Sequence, residues 1–243
     1  MNNAIFVYHQ GIDSSGPPAA QLWWSYSGDG TNWGTDQLVP NLLMSFPPSA
    51  VVYNNLIYVF HQGRVSDQQL WYNVFAPTGE WLGDTLVRGP GMSFSPSAVA
   101  GAAGITVFHQ GQDGDKQLWF TYSPDGTNWE PDVRVPNVLL ADSPSAVVYN
   151  GLLYVFHQGQ EGKQLWYTVF DGPNWAPDVQ VPNLFISRSP SAVAWAGGIT
   201  VFHEGQSDDQ ELWYTYSPDG ANWELDTQVK NVGMTASPSA VVF

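Results

Sequence analysis

The chain has no cysteine among its 243 residues, and its 7 Lys and Arg residues stand against 22 Asp and Glu residues. The lack of cysteine excludes disulfides, thiolate metal sites and a cysteine nucleophile. The shortage of basic residues leaves a formal net charge of −15. Nucleic-acid phosphates and anionic membrane surfaces are bound by patches of Lys and Arg, so we expect neither as a partner.

Long hydrophobic runs are missing as well. The N-terminal segment has no basic stretch followed by an apolar one, so no secretory signal is predicted, and no stretch approaches the roughly 20 apolar residues of a membrane span. We therefore expect a soluble protein without membrane insertion, cytoplasmic or released without a signal peptide. The chain instead has 12 Trp, 11 Tyr and 12 Phe, with 24 Gly and 18 Pro between short apolar runs. This pattern is typical of a turn-rich β protein.

One stretch of sequence recurs five times along the chain. Pro-Ser-Ala returns at spacings of 46 to 48 residues, and Leu-Trp returns at spacings of 47 or 48. A fixed period in this range is typical of a solenoid, a propeller or an array of small units. The Pro-Ser-Ala motifs begin at Pro48, Pro96, Pro144, Pro190 and Pro238.

The fourth repeat shows the local pattern most clearly. Its apolar runs predict strands at 145–149, 152–157, 164–170 and 175–181, after which Pro182-Asn183 leads into the next repeat. Asn150-Gly151, between the first two runs, is a strong hairpin signal. Four short antiparallel strands per repeat favour a propeller blade over a β-solenoid, whose repeats are shorter and need no hairpin.

The two ends of the chain are expected to complete one blade together. Residues 237–243 match one more first strand, and residues 1–41 match the remaining strands of a blade, beginning at the hairpin turn. Closure of this kind leaves no open sheet edge. The sequence therefore predicts a single all-β domain over residues 1–243, a five-bladed β-propeller with four antiparallel strands per blade and repeats of about 47–48 residues.

Four motifs recur in every repeat: Pro-Ser-Ala-Val, Val-[Phe/Tyr]-His-[Gln/Glu]-Gly, [Gln/Glu]-Leu-Trp-aromatic and Trp-x-x-Asp-x-x-Val. His and Gln donate and accept hydrogen bonds, and Trp offers a flat apolar face. A neutral sugar presents hydroxyls at its edge and a C–H face, so this set predicts a sugar pocket that needs no metal or cofactor. The candidate sugar-binding residues are His9, Gln10 and Trp23; His61, Gln62 and Trp71; His109, Gln110 and Trp119; His157, Gln158 and Trp166; and His203, Glu204 and Trp213.

The pockets are predicted between neighbouring blades. Loops after the second and fourth strands leave the same face of a propeller, which is expected to place Gln62-Gly63 near Asn41 and Gln158 near Asn137. A structural role for the histidines stays open. Buried polar groups need partners, and the repeated His, Ser, Asp and Trp side chains of one blade could form a single hydrogen-bonded network.

Five near-identical sites suit multivalent binding. A single sugar site is weak because its hydrogen bonds replace those to water, whereas several copies on one rigid body gain avidity. Catalysis instead needs one asymmetric site. We therefore expect a lectin for glycans or glycoconjugates, without enzymatic activity, and compatible with an oligomer.

Two other functions remain open. A five-bladed glycoside hydrolase would carry its acid and base carboxylates on the inner strands, which here read Pro-Ser-Ala-Val without a carboxylate. A protein-interaction scaffold is compatible with the fold, although near-identical loops in all repeats argue against it. Asp113-Gly114-Asp115 occurs in one repeat only and is interpreted as a solvated loop rather than a metal site.

The combined repeat, written SPSAVVYNG, LYVFHQG, QLWY and QVPN in the fourth copy, resembles the bacterial propeller lectins of the Photorhabdus lectin type over essentially the whole chain. The resemblance implies recognition of fucose and O-methylated sugars between adjacent blades. Those lectins have seven blades, in contrast to the five expected here. The five-bladed architecture resembles that of tachylectin, which binds N-acetylated sugars, and the Ser-x-Asp-Gly-x-x-Trp turns resemble shortened Asp-boxes of sialidases.

Overall fold

The structure is a computed structural model that describes residues 4–12, 20–64, 67–206 and 209–240. These residues form eighteen strands and no helix. In the first repeat the sequence has a long loop over residues 12–20 after the second predicted strand, and its residues 13–19 lie outside the described residues. The strands are β1 (Ile5–Ile12), β2 (Ala20–Ser27), β3 (Gln37–Leu43), β4 (Ser49–Tyr53), β5 (Leu56–Gln62), β6 (Gln69–Phe75), β7 (Thr85–Gly101), β8 (Gly104–Gly111), β9 (Gln117–Ser123), β10 (Val133–Leu139), β11 (Ser145–Tyr149), β12 (Leu152–Gln158), β13 (Gln164–Phe170), β14 (Val179–Phe185), β15 (Ser191–Trp195), β16 (Gly198–Glu204), β17 (Glu211–Ser217) and β18 (Thr227–Gly233).

Strands that follow one another in the chain are neighbours in the sheets. β1–β3 form a three-stranded sheet, β4–β10 a seven-stranded sheet, and β11–β14 and β15–β18 two four-stranded sheets. The chain divides into two compact units, one of residues 1–107, 111–113 and 121–132 and one of residues 108–110, 114–120 and 133–243.

In the second and fourth repeats the first hairpin is set by residues that tolerate positive φ. Asn54 and Asn55 have φ of 48° and 63°, and Asn150 and Gly151 have φ of 49° and 77°. Two successive residues with positive φ are what a two-residue hairpin of type I′ requires. The turn predicted at Asn150-Gly151 is confirmed, because Tyr149 pairs with Leu152 across it.

The predicted fourth strand of the fourth repeat, 175–181, is wrong in its bounds. Trp175 forms only an isolated bridge with Phe170, and the strand runs from Val179 to Phe185. Pro182 fits inside this strand although it has no backbone N–H group. The fourth strand lies at the edge of its sheet, so an N–H group that faces outwards has no neighbouring strand to bond to. Between the second and third repeats, the fourth strand and the next first strand run together as the 17-residue β7.

Aromatic side chains join one repeat to the next inside each unit. Phe60 and Phe156 have no exposed surface. The ring of Trp129, from the following repeat, meets Phe60 edge-on at a centroid distance of 5.5 Å, and Trp223 meets Phe156 in the same way at 5.4 Å. The Trp of each of these Trp-x-x-Asp motifs therefore belongs to the packing between repeats.

The serines of Pro-Ser-Ala also connect neighbouring repeats. Ser49 Oγ accepts the backbone N–H of Ala98 at 3.0 Å, which lies one repeat further along the chain. Ser145 and Ala192 form the same bond at 2.9 Å, as do Ser191 and Ala240, again at 2.9 Å. The structural role considered for these serines is confirmed at these positions. Residues 241–243 lie outside the described part, so closure of the ring by 237–243 stays a prediction.

The turns between third and fourth strands at Asp29, Asp125 and Asp219 are rigid in the way the sequence predicts. Asp125 Oδ1 accepts the backbone N–H groups of Asn128 at 2.7 Å and Thr127 at 2.8 Å, and Oδ2 accepts Asn128 Nδ2 at 2.6 Å. These bonds, led by the backbone N–H of Asn128, hold the pKa of the Asp125 carboxyl well below its ordinary value of 3.8.

Candidate functional site

Cavities with five positions in common lie at three junctions between consecutive repeats. Each is lined by an Asn and an apolar residue from the fourth strand of one repeat, and by a Gly, a Trp and an Asp from the next. Between the first and second repeats, the shared positions are Asn41, Leu43, Gly63, Trp71 and Asp84. Between the third and fourth they are Asn137, Leu139, Gly159, Trp166 and Asp178, and between the fourth and fifth they are Asn183, Phe185, Gly205, Trp213 and Asp226. Asn41 and Gly63 line one cavity together, as expected. Asn137 lines another with Gly159, whereas the expected proximity of Gln158 itself to Asn137 stays a prediction.

The Asn of each cavity comes from a β-bulge in the fourth strand. Asn41, Asn137 and Asn183 have φ of 61°, 59° and 57°, in the left-handed region that Asn enters more readily than most residues. In the first repeat, Trp23 pairs with Leu38 but Gln21 pairs with Leu43, so the fourth strand carries extra residues around Asn41. Bulges redirect side chains and are frequent beside functional sites. All three Asn side chains are exposed.

The Gly of His-Gln-Gly lets the indole ring lie against the backbone. A Cβ atom on Gly159 would lie 2.6 Å from Trp166 Nε1, and one on Gly205 would lie 2.5 Å from Trp213 Nε1. No side chain fits in that space. The repeated Gly is therefore needed to set the position of the Trp ring at the cavity wall, where Trp166 and Trp213 are half-buried.

An aspartate four residues before the Trp fixes the indole ring in three repeats. The indole Nε1–H groups donate to this carboxylate, from Trp71 to Asp67 at 2.9 Å, from Trp119 to Asp115 at 2.7 Å, and from Trp213 to Asp209 at 3.0 Å. In the fourth repeat the same position is Gly162, with φ of 82°. Within the described residues, Trp166 Nε1 forms no hydrogen bond.

The histidines are paired with the aspartates of Trp-x-x-Asp. The distances from Nε2 to the carboxylate are 3.0 Å for His9 and Asp36, 3.0 Å for His61 and Asp84, 3.1 Å for His157 and Asp178, and 2.9 Å for His203 and Asp226. His61, His109, His157 and His203 have no exposed surface, whereas the His9 side chain is 44% exposed. In the pairs of His61, His157 and His203 the second carboxylate oxygen, Oδ2, accepts no hydrogen bond from the described residues. The Asp thus presents an oriented acceptor at the cavity.

In three repeats the Gln beside the His holds the connection that follows the fourth strand. Its Nε2 donates to a backbone carbonyl oxygen: Gln10 to Ser45 at 3.0 Å, Gln110 to Leu140 at 2.8 Å and Gln158 to Ile186 at 2.6 Å. Glu204 replaces Gln in the last repeat and accepts from Arg188 Nε at 2.5 Å. The Glu204 side chain is fully buried, so this partner offsets the cost of removing its charge from water.

The structure separates the predicted site residues into two groups. Trp71, Trp166 and Trp213 line cavities. The side chains of Gln62, Gln110, Gln158 and Glu204 are buried, as are the four histidine rings named above, and they lie behind the cavity wall. Direct sugar contact by these buried side chains stays a prediction.

Sequence reasoning placed Asn41 and Asn137 near the pockets without naming them as binding residues, and it missed the Asp side chains as parts of the site. The Asn could have been found from its recurrence after Pro in a strand, where only a bulge accommodates it. The sequence predicts the Asp of Trp-x-x-Asp only as a member of a structural network. In the structure, one oxygen of this carboxylate bonds to a buried His, and the other oxygen takes no part in that bond. The Asp before Gln-Leu-Trp gives a weaker signal, since Gly162 replaces it in the fourth repeat.

Two features are absent from residues 4–12, 20–64, 67–206 and 209–240. These ranges contain no group of three or more His, Asp or Glu side chains arranged to hold a metal ion. The same ranges contain no helix long and apolar enough to cross a membrane.

Comparison with known proteins gives structural likenesses only. No protein-family model and no curated protein sequence matches the chain. A mutant of the Aleuria aurantia lectin in complex with Fucα1-6GlcNAc superposes with a TM-score of 0.65 at 15% identity, covering 94% of this chain and 75% of that one. The fucose-specific lectin from Aleuria aurantia gives 0.59 at 13% identity, covering 96% and 82%. An α-L-arabinofuranosidase from Clostridium thermocellum gives 0.61 at 16% identity, covering 98% and 92%.

These likenesses establish the class of fold, an all-β propeller built from antiparallel four-stranded sheets. The predicted fold class is confirmed at that level. The neighbours include both lectins and glycoside hydrolases, so the fold alone does not choose between binding and hydrolysis. The number of blades and the affiliation with the Photorhabdus lectin type stay predictions.

Proposed function

We propose that the protein is a multivalent carbohydrate-binding lectin without catalytic activity, whose ligands are neutral sugars of the fucose type, including methylated or N-acetylated sugars. The observation that carries the proposal is the repetition of one cavity, with a Trp face, an Asn amide and a carboxylate oxygen, at three junctions between repeats. The fucose ligands named for the Aleuria aurantia lectin give independent support.

Each element of the cavity suits one part of a sugar. The C–H face of the ring packs against the indole of Trp71 or its equivalent. A hydroxyl donates to Asp84 Oδ2, which is oriented because Oδ1 is held by His61 Nε2 at 3.0 Å. The Asn41 amide both donates and accepts at the rim. In this arrangement His61 is a positioning residue rather than a ligand contact.

The charge of the cavity walls bears on the class of sugar. Asp209 and Asp226 both line the third cavity, and the chain as a whole carries a net charge of −15. Carboxylates accept hydrogen bonds from hydroxyls but repel sialic acids, uronic acids and sulfated sugars. We therefore expect neutral sugars to be bound in preference to anionic ones.

A glycan array followed by agglutination of erythrocytes tests the proposal. We expect binding to fucosylated glycans, agglutination that is inhibited by free L-fucose, and a higher apparent affinity on surfaces with dense ligand because several sites act together. Absence of binding to every glycan at high protein concentration would contradict the proposal. Trp213→Ala should remove the binding site at Trp213, whereas Leu225→Ala, at a side chain that is 89% exposed, is the matched control.

Glycoside hydrolysis is the second candidate, and one observation favours it. Two acidic side chains line each cavity: Asp67 and Asp84, Glu161 and Asp178, or Asp209 and Asp226. Glycosidases use such a pair, but one member must carry a proton for the leaving oxygen. Asp67 and Asp84, like Asp209 and Asp226, instead accept hydrogen bonds from ring N–H groups of Trp and His. Turnover of aryl fucosides or arabinofuranosides that disappears in Asp84→Asn and Asp226→Asn would refute the lectin proposal.

A further inference from the structure

The repeated cavities are not equivalent, and the difference lies at the residue four positions before the Trp. At Asp67, Asp115 and Asp209 the carboxylate takes up the indole N–H through Oδ2. Its other oxygen is also engaged, with the Gln69 backbone N–H at 3.2 Å in the second repeat. In these repeats the indole presents an apolar face to a ligand, and its one donor is already used.

The fourth repeat lacks this carboxylate. Gly162 stands in its place, and the Trp166 Nε1–H group has no acceptor among the residues that the structure describes. The ring itself is held, because it lies against Gly159, where a Cβ atom would come within 2.6 Å of Nε1. A positioned donor without a partner at a cavity wall is available to an oxygen of a ligand.

The cavity at Trp166 is also larger than its equivalents. Its volume is about 670 Å³, compared with about 320 Å³ at Trp71 and about 210 Å³ at Trp213. The additional wall is formed by Trp175, Ala176 and Pro177. Trp175 therefore supplies a second aromatic surface in the same cavity.

We propose that the Trp166 cavity is a distinct site for a glycan segment of two sugar rings, in which Trp166 Nε1 donates to a glycan oxygen and Trp175 contacts the second ring. The cavities at Trp71 and Trp213 take a single terminal sugar. This inference rests on the proposed lectin function and makes Gly162 the residue that determines the specificity of the site.

Nuclear magnetic resonance of the indole N–H groups tests the inference in the intact chain. Spectra of ¹⁵N-labelled protein contain one indole signal for each of the 12 Trp residues, and the Trp166→Phe and Trp213→Phe variants assign the two that matter. Without ligand, we expect the Trp166 N–H to exchange rapidly with solvent and the Trp213 N–H to be protected by Asp209. Addition of Fucα1-6GlcNAc should shift the Trp166 signal, whereas L-fucose should shift it much less.

Binding measured by titration calorimetry gives the second readout. Trp166→Phe keeps the aromatic face and removes one donor, so the affinity for Fucα1-6GlcNAc at this site should fall by roughly threefold to tenfold. The affinity for L-fucose at the other sites should not change. Asp209→Ala, which releases the Trp213 indole from its acceptor, should make the Trp213 N–H exchange as rapidly as that of Trp166.

The outcomes separate the two proposals. Equal shifts of the Trp166 and Trp213 signals, or equal affinity of all sites for the mono- and disaccharide, would overturn the inference and leave the lectin function in place. A protected Trp166 N–H in the ligand-free protein would overturn it as well. Absence of binding to any glycan on the array would overturn the lectin function and the inference together.

Discussion

The four described His–Asp pairs allow one interaction to be measured in two environments of the same chain. His157 has no exposed surface and its partner Asp178 is 16% exposed, whereas the His9 and Asp36 side chains are 44% and 45% exposed. The Nε2–Oδ1 distances are 3.1 Å and 3.0 Å, and His9 Nε2 also lies 3.1 Å from Asp36 Oδ2. Replacing Asp178 and Asp36 by Ala therefore compares a buried and an exposed pair of the same two side-chain types.

The expected magnitudes differ because a buried ring cannot turn to water. The His157 Nδ1 lies 3.2 Å from the Gln158 carbonyl oxygen and Nε2 lies 3.1 Å from Asp178 Oδ1, so both ring nitrogens depend on partners within the protein. Asp178→Ala leaves the buried Nε2 without a partner, at a cost of about 1–3 kcal/mol. Asp36→Ala removes an exposed pair worth about 0.2–1 kcal/mol. For a chain of this length, Tm should fall by roughly 2–12 °C in Asp178→Ala and by at most about 4 °C in Asp36→Ala.

Thermal unfolding followed by tryptophan fluorescence measures both changes. Asp178→Asn is the matched control, because its amide can donate to Nε2 and should restore most of the lost Tm. Equal losses in Asp178→Ala and Asp36→Ala would refute the reasoning. An Asp178→Asn variant as unstable as Asp178→Ala would refute it too, since the amide supplies the missing partner.

Three further predictions concern the turns, the cavity and the core. Asp125→Asn should lower Tm at pH 7, and the difference in Tm from the wild type should narrow as the pH falls below 3.8. A carboxyl whose pKa is lowered on folding stabilises the fold above its ordinary pKa and loses this effect in acid. Melting curves of both proteins at pH 7 and pH 3 measure the difference. Gly159→Ala should displace Trp166 and abolish calorimetric binding at that site, since the new Cβ would lie 2.6 Å from Nε1. Phe60→Ala should cost about 3–5 kcal/mol in urea unfolding, whereas Leu225→Ala should change stability by less than about 0.5 kcal/mol.

The sequence is sufficient for the strands whose signals are local. Asn150-Gly151 forces a hairpin whatever surrounds it, and the apolar runs on either side become β11 and β12. The fourth strand is misplaced from sequence because Pro182 and Asn183 resemble a strand end under the same local rules. Pro182 and Asn183 fit inside β14 because this strand lies at the edge of its sheet and has a bulge at Asn183. Both features are properties of the sheet and are not visible in the local sequence.

The sequence predicts where in the repeat the candidate site lies, but not which side chains face the cavity. Recurrence of His followed by Gln or Glu in every repeat indicates an important position, and the described cavities lie beside it. Which side chains face the cavity depends on packing with the neighbouring repeat. His61 has no exposed surface because it lies beneath its strand neighbours, and only its partner Asp84 reaches the cavity.

Each cavity is built from two successive repeats, so a complete cavity needs a pair of neighbouring repeats. Asn137 comes from one repeat and Gly159 and Trp166 from the next, so an excised single repeat would hold half of two sites and the whole of none. On the proposed function, each of the three described sites therefore belongs to a junction between two repeats. An extra repeat inserted between two existing ones would add one junction and one site while leaving the walls of every other cavity as they were.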